Sequence, residues 1–229
     1  MRKMYLSAPL PFVGQKRMLA KEFMKVLEQY PDGTLFVDLF GGSGLLSHIT
    51  KSLKPHSTVI YNDFDNYRFR MKHIPQTNQL LADIREMVGN SVPRHKIIKG
   101  ELRERIFSRI EQEENSTGYV DFITLSSSIL FSMKYKLSVQ DMRKEALYNN
   151  IRKTGYPECT DYLEGLEIVS CDYKEVFNRY KDIPGVVFLV DPPYLSTDVG
   201  TYNMYWNMAD YLDVLNVLKG HSYVYFTSN

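Results

Sequence analysis

Cysteine, net charge and long apolar runs are all scarce in this sequence. Its 229 residues hold two cysteines, Cys159 and Cys171. That is too few for a disulfide scaffold, and they lack metal-ligand spacing, which suits a reducing cytosol. The formal net charge is +1, so no overall basic field draws in nucleic acid or membrane; such a partner has to be met through a local patch. No run approaches the ~18 apolar residues of a membrane span, and the N-terminus lacks the ~7–15-residue apolar stretch of a signal peptide. The expectation is a soluble, cytoplasmic monomer with no membrane partner. The five histidines show no ligand spacing, so no metal is expected. Apolar residues at 44% and charged residues at 24% exclude disorder and fibrous folds. Aromatics are the excess: 17 Tyr and 12 Phe.

Along the chain, apolar positions at helical spacing predict a helix over 17–30, closed by Pro31-Asp32-Gly33. The nearly unbroken apolar run 34–40 reads as a central strand buried on both faces. Gly41-Gly42-Ser43-Gly44 follows, then a helix over 45–53 and a strand over 58–61 closed by Asn62-Asp63. This is a βαβ unit of a parallel sheet. The pattern resumes with strands at 166–170, 186–190 and 223–227 and helices at 173–180 and 208–219. Residues 66–165 show no strand-like alternation, only helical segments near 76–88, 95–112, 119–134 and 139–153. The prediction is therefore an α/β sheet interrupted by a helical subdomain. That insert holds 16 Lys and Arg against 13 Asp and Glu. Asn229 follows the last strand directly, so either the sheet ends there or a C-terminal piece is missing.

Three places carry residues suited to chemistry. Asp191-Pro192-Pro193-Tyr194 follows a buried strand, and ligands of parallel sheets bind outside the carboxyl ends of the strands. The prolines stiffen the loop. It presents a carboxylate acceptor, a backbone carbonyl and a flat ring, a trio suited to a planar substrate bearing an amine. Asp38 to Gly44 (DLFGGSG) ends the first strand; glycines there allow a tight turn and close ligand approach. The spacing is neither a dinucleotide fingerprint nor a phosphate loop. Asp38 at the tip of a buried strand is placed to hold a cationic ligand group. Asp63, about 20 residues past the glycines, fits either the hydroxyls of a ribose or the cap of a helix starting near Asn66. Asp172 reads as a helix N-cap. Tyr202, Tyr205 and Trp206 either stack a base or close a lid. Arg94, Lys96, Lys99, Arg103, Arg105 and Arg109 either contact phosphates or, interleaved with Glu101 and Glu104, form a solvated helix face.

Together these residues resemble the Dam-like N6-adenine-specific DNA methyltransferases, the class whose recognition domain is inserted ahead of the catalytic motif. Asp191 to Tyr194 matches the D-P-P-Y motif, Asp38 to Gly44 the motif [D/E]-x-F-x-G-x-G, and Asp63 the acid ending the second strand. Phe12-Val13-Gly14-Gln15-Lys16 resembles W-x-G-G-K, with Phe12 for Trp and Gln15 for Gly. The resemblance implies a Rossmann-like S-adenosylmethionine-dependent methyltransferase sheet from 1–65 and 166–229. The 66–165 insert would read double-stranded DNA. It further implies that S-adenosylmethionine is held by Phe12, Lys16, Asp38, Gly41, Gly42, Gly44, Asp63 and Asp172. Asp191, Pro192, Pro193 and Tyr194 would act on a flipped adenine. RNA or a protein amide as acceptor, or a non-catalytic binding relative, are the competing readings. The enzymatic reading stands on the Asp191 carboxylate facing the glycine-lined cavity: turned away, or capped by a neighbouring cation, it would overturn that reading.

Overall fold

A computed structural model describes residues 3–131, 134–193 and 207–227. The central strands form where the sequence has short apolar runs that end at Gly, Pro or Asp. These are β1 (Phe36–Asp38), β2 (Val59–Asn62) and β6 (Val187–Val190), every residue of which is buried. The flanking strands β5 (Glu167–Val169) and β7 (Ser222–Tyr225) are partly exposed. The five pair in the order β5-β2-β1-β6-β7, all parallel.

Alternation of side chains sorts the core into two layers. Phe36, Val59, Val187 and Leu189 pack with helices α1 (Ala20–Leu27) and α2 (Leu45–Leu53) on one face. Val37, Ile60, Phe188 and Val190 pack with α8 (Tyr173–Tyr180) and α9 (Met208–Leu218) on the other. This is the Rossmann-like α/β sheet the sequence predicts. From β1 the chain moves outward to β2 and β5, then crosses back to β6 on the other side of β1. The order reverses between β1 and β6, and a ligand crevice belongs at that point.

Between β2 and β5 lie α3 (Tyr67–Lys72), α4 (Ile74–Val88), α5 (Gly100–Thr117), α6 (Phe122–Ile129) and the short α7 (Val139–Arg143). They share a third core cluster that includes Ile84, Ile106, Phe107, Ile110 and Leu125. Two expectations are corrected here. The region is not free of strands: β3 (Ile97–Ile98) pairs antiparallel with β4 (Leu147–Tyr148), two-residue pieces too short for alternation to show. The helix expected over 139–153 stops at Arg143, and Leu147 is drawn into the core as a strand residue instead. Among the described residues no helix is long and apolar enough to cross a membrane.

Candidate active site

At the reversal point β1 delivers the glycine turn. Gly44 N–H donates to Gly41 O at 2.7 Å, and Gly44 caps α2 with φ +72°. A Cβ on Gly41 would lie 2.3 Å from the Tyr61 ring and 2.7 Å from Asn62 O, so β2 itself excludes any side chain there. Gly42, at φ +48°, meets Phe12, whose ring would be 2.9 Å from an added Cβ. The N-terminal segment thus lies over the turn. Gln15 sits at φ −52°, open to any residue, so the departure from Gly there brings no backbone strain.

A cavity of about 310 Å³ opens above this turn. Its walls are the 12–16 segment, the 39–43 turn, Asn62, Phe64, Asp65, Asn66 and Arg70 beyond β2, Ile123, Leu137, Asp172, Tyr173, and Asp191, Pro192 and Pro193 after β6. Of the predicted site residues, Phe12, Lys16, Gly41, Gly42, Asp172, Asp191, Pro192 and Pro193 therefore share one cavity. Asp172 also caps α8, accepting from Lys174 N–H at 2.8 Å. Tyr194, Tyr202, Tyr205 and Trp206 lie outside the described residues.

Three predicted acids behave differently from expectation. Asp38 is fully buried and does not line the cavity. Ser47 Oγ donates to its Oδ2 at 2.7 Å, and the backbone N–H groups of Phe40 and Ser47 also face the carboxylate. Burial pushes its carboxyl up to about 7 against the opposing Ser47 hydrogen bond, and the charge of Asp191 adds to the rise. Asp63 also stays out of the cavity wall. It accepts from the N–H groups of Tyr67 (2.6 Å) and Arg68 (3.0 Å) at the start of α3, the helix-cap alternative that the sequence leaves open. Asp191 faces the cavity as expected, but a cation caps it: Lys16 Nζ lies 2.7 Å from Oδ2. The expectation of an uncapped carboxylate is contradicted, and with it the geometric ground on which the sequence rested an enzymatic reading. Asp38 and Asp191 end adjacent strands, and two neighbouring acids with little access to water call for a counter-charge.

Several site residues escaped the sequence reading. The rings of Phe40 and Tyr173 meet in the wall, tilted by 32° with centroids 4.9 Å apart, and Phe64 lines the cavity while 48% exposed. Asp65 lines the cavity while still exposed to solvent; partial desolvation raises its carboxyl, with Asp63 adding and Arg70 opposing. An aromatic and an acid directly after the second strand were the available signal. Asn62 joins three strand ends: its Nδ2 donates to Leu39 O and Cys171 O, both at 2.9 Å, and its Oδ1 accepts from Cys171 N–H. Arg70 is buried. Its Nε lies 3.2 Å from both oxygens of Asp121 at the start of α6, and its Nη2 donates to Pro11 O at 2.8 Å. In the basic cluster of the insert, Arg94 binds Ile151 O, Arg103 pairs with Glu104, and Arg109 pairs with Asp83 and Glu113. Lys96, Lys99 and Arg105 stay exposed.

The cavity thus offers carboxylates, aromatic faces and a glycine floor, and among the described residues its cationic side chains, Lys16 and Arg70, are each engaged by an acid. Such a lining favours a cationic ligand with flat rings over a phosphate. The chain is also similar to known proteins. A family model described as D12 class N6 adenine-specific DNA methyltransferase matches residues 12–220. A Haemophilus influenzae protein named "Putative methyltransferase" is 38% identical over 233 residues, covering 99% of this chain and 77% of the relative.

Proposed function

The chain belongs to the D12 class N6 adenine-specific DNA methyltransferase family, and on that premise we propose that it methylates adenine N6 in double-stranded DNA using S-adenosylmethionine. The observation that carries this reading is the single cavity shared by Asp191 and the glycine turn at the sheet's reversal point. The donor set fits the cofactor: acids and aromatic faces for a cationic nucleoside, and a floor at Gly41 that a Cβ would fill. When bound, S-adenosylmethionine supplies an electrophilic methyl carbon.

Phe12, Gly41, Gly42 and Asp172 would hold the cofactor, with Phe40, Phe64 and Tyr173 as its aromatic walls, whereas Lys16, expected among them, has its ammonium on Asp191 instead. Asp65, two residues past the acid predicted for this role, offers the carboxylate for ribose hydroxyls. Gly44 and Asp63 support from behind: Gly44 by turning the chain into α2, Asp63 by fixing the start of α3. Asp38 lies beneath the turn and would act on the cofactor's positive charge through the field rather than by contact.

A stacked adenine cannot reach such a cavity, so the target base is flipped out. Asp191 and the Pro192 carbonyl accept the amine hydrogens, which frees the nitrogen lone pair that conjugation otherwise withdraws. Pro193 stiffens the loop, and Tyr194 supplies a stacking face. Orienting the nitrogen in line with the methyl carbon is the main catalytic contribution, since no adduct with the protein is needed. The 66–165 insert would carry the groove-reading surface.

Labelled methyl incorporation, measured separately into duplex DNA, RNA and protein, tests the acceptor. Asp191→Ala is expected to lower incorporation into adenine-containing duplex at least ~1,000-fold while cofactor binding persists. Wild-type turnover by that variant refutes the assignment.

A further inference from the structure

Lys16 belongs by resemblance to the cofactor site, yet its ammonium is engaged elsewhere. Nζ lies 2.7 Å from Asp191 Oδ2, with the side chains 9% and 15% exposed, and donates to Gly14 O at 2.6 Å. The lysine opens the 3-10 turn Lys16–Met18 and so reaches the end of β6 from the N-terminal segment.

We propose that Lys16 is the positioning residue of the acceptor carboxylate, fixing the orientation of Asp191 and keeping it ionised to receive the amine. This inference rests on the function proposed above. Its physical ground is the pair of acids ending β1 and β6. Asp38 is fully buried, and the charge of Asp191 works against its ionisation; the repulsion is mutual. A protonated Asp191 would offer a hydroxyl where the reaction needs an acceptor. The ion pair with Lys16 disfavours that form and also removes the rotational freedom of a carboxylate on a short stem. Among the described residues, Lys16 from the N-terminal segment pairs with Asp191 and Asp38 from β1 lies close enough for their charges to interact, while Asp65, Arg70, Asp172 and Tyr173 line the same cavity.

The test compares Lys16→Met and Lys16→Arg with the wild type. Methyl transfer is followed to genomic DNA lacking N6-methyladenine between pH 5.5 and 9, and S-adenosylhomocysteine binding is measured by calorimetry. Lys16→Met is expected to lower kcat about 100-fold, the loss typical of a reacting group left misplaced. The acid limb of its kcat profile should move to higher pH, and the Kd for S-adenosylhomocysteine should stay within about threefold. Lys16→Arg, which restores the charge, should recover most of the rate and the original acid limb. If Lys16→Met instead weakens S-adenosylhomocysteine binding while kcat at saturating cofactor holds, or leaves the acid limb in place, the positioning role is refuted and the lysine serves the cofactor. A wild-type protein that methylates no adenine duplex at any pH removes the proposed function itself, and this inference with it.

Discussion

Replacing Asp38 by asparagine should stabilise the protein, and the gain should grow with pH. The carboxyl is fully buried and titrates near 7 rather than at the ordinary 3.8, chiefly through desolvation. The folded state therefore holds this proton more tightly than the unfolded chain. The stabilisation from the protonated form is complete below about pH 4 and is lost as pH rises through about 7. The shift spans roughly three pH units at ~1.36 kcal/mol each, so ionised Asp38 costs the fold about 4 kcal/mol. Asparagine mimics the protonated form, stays neutral and can still accept the Ser47 hydroxyl. Between pH 5 and 8.5 the variant should gain about 2–3 kcal/mol on the wild type, equivalent to ~5–10 °C in Tm for a chain of this size. Urea and thermal unfolding at both pH values provide the assay. The pH dependence of the gap is the readout, because any fixed difference in packing cancels. A gap that does not change with pH, or that shrinks at pH 8.5, refutes the assignment of a buried, poorly solvated carboxylate.

Phe64→Ala should weaken S-adenosylhomocysteine binding ~5–150-fold in calorimetry, since ring stacking contributes roughly 1–3 kcal/mol. Because Phe64 is half exposed, Tm should change little; unchanged binding would remove it from the aromatic wall. Arg70→Met leaves Asp121, 1% exposed, without its counter-ion and should destabilise by about 3–5 kcal/mol in urea unfolding. Arg70→Met with Asp121→Asn should recover part of that loss, and a strictly additive double variant would contradict the clamp.

The sheet was legible because its strands are apolar runs bounded by Gly, Pro or Asp, and the side chains of Phe36, Val37, Phe188 and Leu189 alternate between two covered faces. The cavity was legible to the extent that its residues follow those strands directly. Beyond that, single-residue geometry decides. Whether Asp63 or Asp65 faces the cavity depends on how the chain turns through Asn66, at φ +56°, into α3, and composition carries no trace of that turn. The pairing of Lys16 with Asp191 joins residues near opposite ends of the chain, so no local pattern can announce it. Asp38 looked like a ligand contact because an acid ending a buried strand has few structural uses. The hydroxyl of Ser47, one helical step into α2, gives it one.

The long excursion through α3 to α7 leaves β2 and rejoins the sheet at its immediate neighbour β5, with Asn62 aligned to Val169. The rest of the sheet is indifferent to what that excursion contains, provided the two strands still meet. The length and content of that excursion can therefore change without disturbing the register of β2 and β5, whereas Arg70, Ile123 and Leu137, which it sends into the cavity wall, tie the shape of the cavity to it.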